Sequence, residues 1–551
     1  MSQSMTEGMW EAGDWGPLER FVAEEYVVDT LWAFEPGFRR GTVIPAAEQL
    51  GTLPLPGDHP ERCQFLVAET LFGEMLALPR PPHAAVFYHV VIQDLCKTIQ
   101  TFPKMMAKMV GQMFTQMARM DVEARERLAD WMAHHLSCFD LAWPWRSWAH
   151  VADQPADHPQ RAFCASVVRR LQRLCYHDRV KESLPEELRV LLPGKPSLNP
   201  DYIHDALNAS SGALNDLRAM MRDKTSADKV MEWFETSGKL QALGNETAAR
   251  ILTVAALQHG QKCITHHNVL LGRYESALRA LVAPGAGDDD DRGCAHAVVA
   301  AAAGVWNGTH PQMAVVAVSR LLELGVVTSD AVARWAAASA ASSGPDASDR
   351  CDRGVAWGTP DAFDIARIAV DRLAADREAR GWYVRNIKRD IAAASQKLAQ
   401  ASAKADGAER DGAMVVAARH KDAKKRHLDR VTELEKQLDA AKAPFDDAEA
   451  ATSAAAATLA TAMVTELAPR MAAAAAEALA PTPTEAGKDA APETRDARAL
   501  SMCVALLRRF RAELGAGGEA AVAEAIRGAG VSEDVAKVFG EAVSGRGTVS
   551  R

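Results

Sequence analysis

A chain of 551 residues is too long for a single hydrophobic core and is expected to form two or three domains. Hydrophobic residues make up 48% and aromatics only 6%, with alanine abundant, a balance that favours helix over sheet. The formal net charge of −9, from 63 basic and 72 acidic residues, argues against wholesale nucleic-acid binding but leaves room for a local basic face.

Residues 1–17 are polar and glycine-containing and read as a flexible tail. Leu18, Phe21, Val22, Val28, Leu31 and Trp32 then mark a first helix, expected to end before Pro36. Residues 36–60 read as a Gly/Pro-rich loop. Phe65, Leu66, Leu71, Phe72, Met75 and Leu76 mark a second helix, closed by Pro79, Pro81 and Pro82, and a third covers Val86 to Ile99. A fourth, over 105–120, carries a ladder of Met105, Met109, Met113 and Met117. Methionine stripes suit adaptable surfaces, but at this spacing packing between helices is the better reading.

Residues 128–148 hold four of the twelve tryptophans. Leu128, Trp131, Met132, His135 and Leu136 fall at i, i+3, i+4, i+7 and i+8, which makes one apolar stripe on a helix. Pro144 should end that helix near Trp143. Trp143, Trp145 and Trp148 read first as the packed corner of a domain, with a partner-binding surface as the competing reading. Phe163, Val167, Val168, Leu171, Leu174 and Cys175 mark the next helix. Helices of about 12 to 18 residues joined by short loops predict an all-α fold of HEAT-like helical repeats, an α-solenoid. The Pro-rich break from Leu192 to Pro200 separates a first helical-repeat domain, 18–195, from a second, 201–545.

In the second domain, Ile251 to Leu271 and Tyr274 to Leu281 read as helices. Asp288 to Asp291 lacks the alternating ligands and glycine of a calcium loop and reads as a solvated acidic loop. Val298–Trp306 and Met313–Leu324 predict a helix pair around His310-Pro311-Gln312-Met313, followed by a helix with Val332 and Trp335 and a polar loop over 341–360. From 376 to 445 the chain turns rich in Ala, Lys, Asp and Glu, with a thin seam of Ile387, Ile391, Leu398, Leu428, Val431, Leu434 and Leu438. This predicts a protruding antiparallel coiled-coil hairpin. Between 384 and 442 there are 14 basic and 9 acidic residues, a local excess in an acidic protein, densest at Lys421, Lys424, Lys425 and Arg426. A solvated helix face is the plainer reading of those four; contact with RNA or a partner is the sharper one. An Ala-rich helix over 451–480, a Pro/Ala/Glu linker over 481–497, and closing helices at 498–514 and about 519–542 complete the chain.

Nine scattered cysteines without a CxxC pair predict free thiols and a reducing compartment. No stretch approaches the ~18–20 apolar residues of a membrane-spanning helix, and the N-terminus, with Glu7, Glu11 and Asp14, lacks a signal-peptide pattern. No Walker loop, HExxH, GxSxG or paired-cysteine zinc motif is found. The adjacent pairs His134-His135 and His266-His267 point ~100° apart on a helix, so they are poor joint metal ligands. No catalytic residue, cofactor site or metal site is assigned, and a scaffold is the natural class.

The block His134-His135-Leu-Ser-x-Phe139, then Trp143-x-Trp145-x-x-Trp148, resembles the large-subunit family of the nuclear cap-binding complex. Leu18–Glu25, Leu78–His83 with Asp94–Lys97, Leu174–His177, Trp306–Met313 (one residue longer than the family's Trp-x-x-His-Pro-Gln-Met) and Ala331–Trp335 match the same family in the same order. The resemblance implies three helical domains related to the middle domain of initiation factor 4G. The second and third are expected here, and the first, with its basic nuclear-localisation segment, is expected to lie outside this chain, through truncation or a short form. It implies a scaffold without enzymatic activity that docks a small subunit carrying an RNA-recognition motif, which in turn holds the 7-methylguanosine cap of RNA. Splicing, export and nonsense-mediated decay factors are the further implied partners, and the nucleus, with shuttling to the cytoplasm, the implied location. The motif residues His134, His135, Phe139, Trp143, Trp145, Trp148, His310, Pro311, Gln312 and Met313 are expected to be structural. A translation scaffold of the initiation factor 4G type and a structural coiled-coil protein remain the alternatives.

Overall fold

The computed structural model describes residues 16–39, 46–53, 60–283, 291–306, 310–341, 360–467, 495–529 and 531–544. Most of the expected N-terminal tail and of the 481–497 linker, the polar loop at 342–359 and most of the acidic loop lie outside the described residues. Among the described residues there is no strand.

The helices follow one another with short connections. The first group is α1 (Pro17–Arg39), α2 (Ala46–Gly51), α3 (Pro60–Leu76), α4 (Ala85–Thr98), α5 (Phe102–Thr115), α6 (Val122–Cys138), α7 (Pro159–Leu174) and α8 (His177–Ser183). The second is α9 (Pro200–Ala209), α10 (Ala213–Arg222), α11 (Ala227–Thr236), α12 (Lys239–Gly260), α13 (Ile264–Arg273), α14 (Glu275–Val282), α15 (Asp291–Gly304), α16 (Pro311–Glu323) and α17 (Ser329–Ala341). Two long helices, α18 (Pro360–Arg410) and α19 (Met414–Leu467), and the closing α20 (Arg495–Gly528) and α21 (Glu533–Ser544) complete the order.

Local chemistry sets many of these starts. Pro159, Pro200 and Pro311 occupy the first helical turn, where the missing N–H costs nothing. Asp121 caps α6 by accepting from the Glu123 amide at 2.9 Å, and Asn199 caps α9 by accepting from Asp201 and Tyr202.

Two large apolar clusters form the body. One gathers buried residues from Val27 to Leu191, and the other chiefly residues from Tyr202 to Val543. The methionine ladder lies inside the first, with all four side chains buried; Met117 sits in a 3₁₀ turn after α5 rather than on it. The hairpin of α18 and α19 has a core of its own, only Ala394, Val431 and Leu434 with Ile391 and Leu398 against them.

Several boundaries differ from the sequence reading. Helix α1 continues past Pro36 to Arg39, because a proline near a helix end removes few hydrogen bonds. The expected single helix at 251–271 is two: at Gly260 a Cβ would come within 2.9 Å of the His267 Cα, so α12 and α13 meet at a corner that only glycine fits. The expected interruption after 514 is present, as a kink at Gly515 (φ +60°) within α20, but the expected helix at about 519–542 is divided, its last part beginning at Glu533. The arms of the hairpin extend beyond 376–445, since their inner ends pack on the body.

Candidate interaction surfaces

The motif at 134–148 builds an aromatic corner. Helix α6 carries Phe72's partner Trp131 (ring centroids 4.7 Å apart, edge on), then His135 stacked on Trp131 at 5.1 Å, then Phe139 against His135 at 4.5 Å. After Pro144 the chain enters a 3₁₀ helix, Trp145–Asp153, which turns Trp148 onto Phe114 in a parallel stack at 4.0 Å. Trp143 and Trp145 flank Trp148 at 5.3 and 5.9 Å. Trp145 and Trp148 are buried and Trp143 half-buried, so the corner is spent mainly on packing.

Histidines surround this corner. The His89 ring lies 5.2 Å from that of half-buried His134. Burial, with the neighbouring histidines adding to it, pushes the His135 pKa down to about 4. Burial likewise pushes His89 down to about 4, outweighing the Asp130 carboxylate, which acts the other way. Both are neutral at physiological pH. No group of three or more potential metal ligands occurs among the described residues.

His310, Pro311, Gln312 and Met313 open α16. His310 is buried at the cap, its ring perpendicular to that of Trp306 at 6.3 Å, and Gln312 and Met313 are buried beneath it. This motif therefore sits inside the second core.

Lys421, Lys424, Lys425 and Arg426 lie near the tip of the hairpin, all exposed. Lys421 pairs with Glu409 across the turn. Met414, Val415 and Val416, at the tip itself, are also exposed. The structure thus separates the motif residues, which are largely packed, from the basic residues, which face water.

The sequence reading missed an ionic layer between the two halves of the body. Glu126 on α6 accepts from Ser166 at 2.7 Å and pairs with Arg170 at 3.1 Å and with Arg498 of α20 at 3.0 Å. Burial opposes its ionisation, but Arg170, Arg498 and the Ser166 hydroxyl together hold its carboxyl below the usual range. Arg170 also reaches Asp364 on α18 at 3.2 Å. Glu513, with no exposed side-chain surface, pairs with Arg80 at 2.7 Å and Arg377 at 3.3 Å, and Arg509 joins Asp371 and Glu123. These partners are up to 433 positions apart, so no local pattern could announce them.

The eight cysteines among the described residues are free, and no described helix is long and apolar enough to cross a membrane. A shallow depression of about 430 Å³, open to solvent, is lined by Ile264, Thr265, Asn268, Val269, Gly272 and Arg320.

Comparison with known proteins adds identity to this architecture. Residues 30–186 match one MIF4G-like family model and residues 205–513 a second. The chain is 31% identical over 327 residues to nuclear cap-binding protein subunit 1 of Arabidopsis thaliana, covering 58% of this chain and 36% of that protein. It is 35% identical over 271 residues to the Oryza sativa subsp. japonica protein of the same name, covering 48% and 30%. The Salmo salar protein is 26% identical over 337 residues, covering 58% and 39%. The match spans only 30 to 39% of the length of these relatives. The all-helical body, the hairpin and the two collinear matches together place the chain in the MIF4G-like family, as a homologue of nuclear cap-binding protein subunit 1.

Proposed function

We propose that this chain is the scaffold subunit of a nuclear cap-binding complex, which docks and orders a small RNA-recognition-motif subunit and thereby creates the pocket for 7-methylguanosine. The observation that carries this reading is the 31 and 35% identity to two proteins named nuclear cap-binding protein subunit 1, together with the MIF4G-like matches over 30–186 and 205–513. The side chains support the same division of labour. A methylated guanine is a flat cation, held tightly only when sandwiched between aromatic rings. In the 143–148 corner, Trp148 is packed against Phe114 and Phe163, Trp145 is buried against Trp148, and Trp143 is half-buried. The scaffold's contribution is preorganisation: it orders mobile segments of its partner, so less entropy is lost when the cap arrives. The role is non-enzymatic. It is exercised in the nucleus, with recruitment of splicing, export and decay factors as its outlet.

Cap-analogue titration of the purified chain, with and without the small subunit, tests this. Weak or no binding alone and tight binding with the partner is the expected result; nanomolar binding by the isolated chain overturns it. A translation scaffold would instead copurify with a helicase and an initiation factor, so identifying the stable partner separates the two classes.

A further inference from the structure

Where the hairpin leaves the body, α18 presents two large aromatic side chains to water. Trp382 is 49% exposed and Tyr383 51%. The inward side of the same turns is apolar: Val384 and Ile387 are buried, and Gly381 lies against Phe445 of α19. At about 100° per residue, Trp382, Arg385, Asn386 and Arg389 share one outward stripe, opposite the seam of Ile391, Ala394 and Leu398.

The charge of this face is one-sided. From Trp382 to Ala405 the helix has five basic residues and one acidic residue, Asp390. Arg385, Lys388, Arg389, Lys397 and Lys404 are all exposed. Arg385 donates to Glu378 at 2.6 Å, two turns closer to the body, so one cation is partly offset. The strip from Trp382 to Lys404 is roughly 33 Å long at the helical rise.

Two facts must be met by whatever covers this strip: rings that want a flat partner and cations that want anions. An apolar protein surface would cover the rings and strand the cations. Single-stranded RNA satisfies both, with bases stacking on exposed rings and phosphates pairing with Arg and Lys. The tip of the hairpin is a poorer fit. It has no Trp, Tyr or Phe among Met414 to Arg426, Lys421 is already paired with Glu409, and Asp422 and Asp429 interrupt the basic run.

We propose that the outward stripe of α18 binds single-stranded RNA, stacking a base on Trp382 and holding phosphates with Arg385 and Arg389, with exposed Tyr383 and Lys388 flanking the stripe on either side. The RNA would be the body of a transcript whose cap the small subunit holds, which rests on the scaffold reading above. The hairpin then acts as a rail that carries the strand away from the cap.

The test is fluorescence anisotropy of the full chain with a labelled, uncapped oligouridylate over a range of salt. Binding that weakens as salt rises is expected. Trp382→Ala should weaken it about tenfold, while Trp382→Phe, which keeps a ring, should largely retain it. Arg389→Glu should weaken it and flatten the salt dependence. These side chains are exposed, so the melting curve should not move. Absent binding, or binding that Trp382→Ala and Arg389→Glu leave unchanged, overturns the proposal. So does a Trp382→Ala chain that keeps RNA but loses the small subunit, which would make the face a protein dock. Cap-analogue titration with the small subunit is run in parallel. Cap binding without RNA binding removes only the strip; RNA binding without cap binding removes the scaffold reading.

Discussion

The body and the hairpin are made of the same kind of Ala-rich helix, yet they hold those helices by different means. In the body, a helix such as α12 buries most of one turn after another, from Ala248 through Leu257, against neighbours on several sides. In the hairpin each arm has a single neighbour, and the seam between them rests on Ala394, Val431 and Leu434. The body adds a layer of buried ion pairs across its two halves, whereas ion pairs on the hairpin, such as Lys421 with Glu409, are exposed. The difference teaches that helix length is no measure of stability: stability follows the number of apolar neighbours a helix can reach.

This contrast can be broken most sharply at the aromatic corner. Trp148→Ala would empty the space between Phe114, Trp143, Trp145 and Phe163 and should cost about 3 to 5 kcal/mol, read by chemical denaturation. A stable Trp148→Ala chain that had lost a partner would instead make the corner an interface.

Arg170→Met should cost a similar amount, about 3 to 5 kcal/mol, because it leaves Glu126 and Asp364 buried with fewer cations. If the loss proves as small as at a surface pair, the ionic layer contributes little to joining the halves.

Acidification should come next in size. His89 and His135 have folded pKa values of about 4, while in the unfolded chain each protonates near 6.5. Between those values the unfolded chain binds more protons, so stability falls as pH falls through this window. At pH 5 the loss should be about 2 kcal/mol per histidine relative to pH 7. His135→Phe should remove part of that slope; an unchanged slope would show that His135 is not its source.

The smallest effect is expected in the hairpin. Leu434→Ala should cost no more than about 2 kcal/mol, the low end for such a substitution, and should loosen the hairpin alone. Amide hydrogen exchange confined to α18 and α19 would bear this out, while loss of protection throughout the body would show the two regions to be one cooperative unit.

Much of this architecture was legible in local patterns. Apolar spacing of three and four marked most helices, and the thin seam from Ile387 to Leu438 marked the paired arms. The motifs at 134–148 and 310–313 were legible as a family signature. Which residues cover them was not, because a stripe shows that a face is apolar and not what packs on it. The helix end at Gly260, decided by a close approach, was not legible, whereas the interruption at Gly515 was.

By itself, then, the sequence determined what depends on neighbours a few positions away: helix, turn, cap, and the pairing of two arms joined by a short turn at Gly412. Only the tertiary structure decided what depends on distant partners. Trp131 is fully buried and Trp382 half-exposed although both lie on regular helices, because Phe72 from α3 reaches the first and the second faces away from α19. Glu126 stays charged inside the body because Arg498, 372 positions away, is brought to it. A burial cost that large is repaid only by charges at contact distance, and contact distance is a property of the fold.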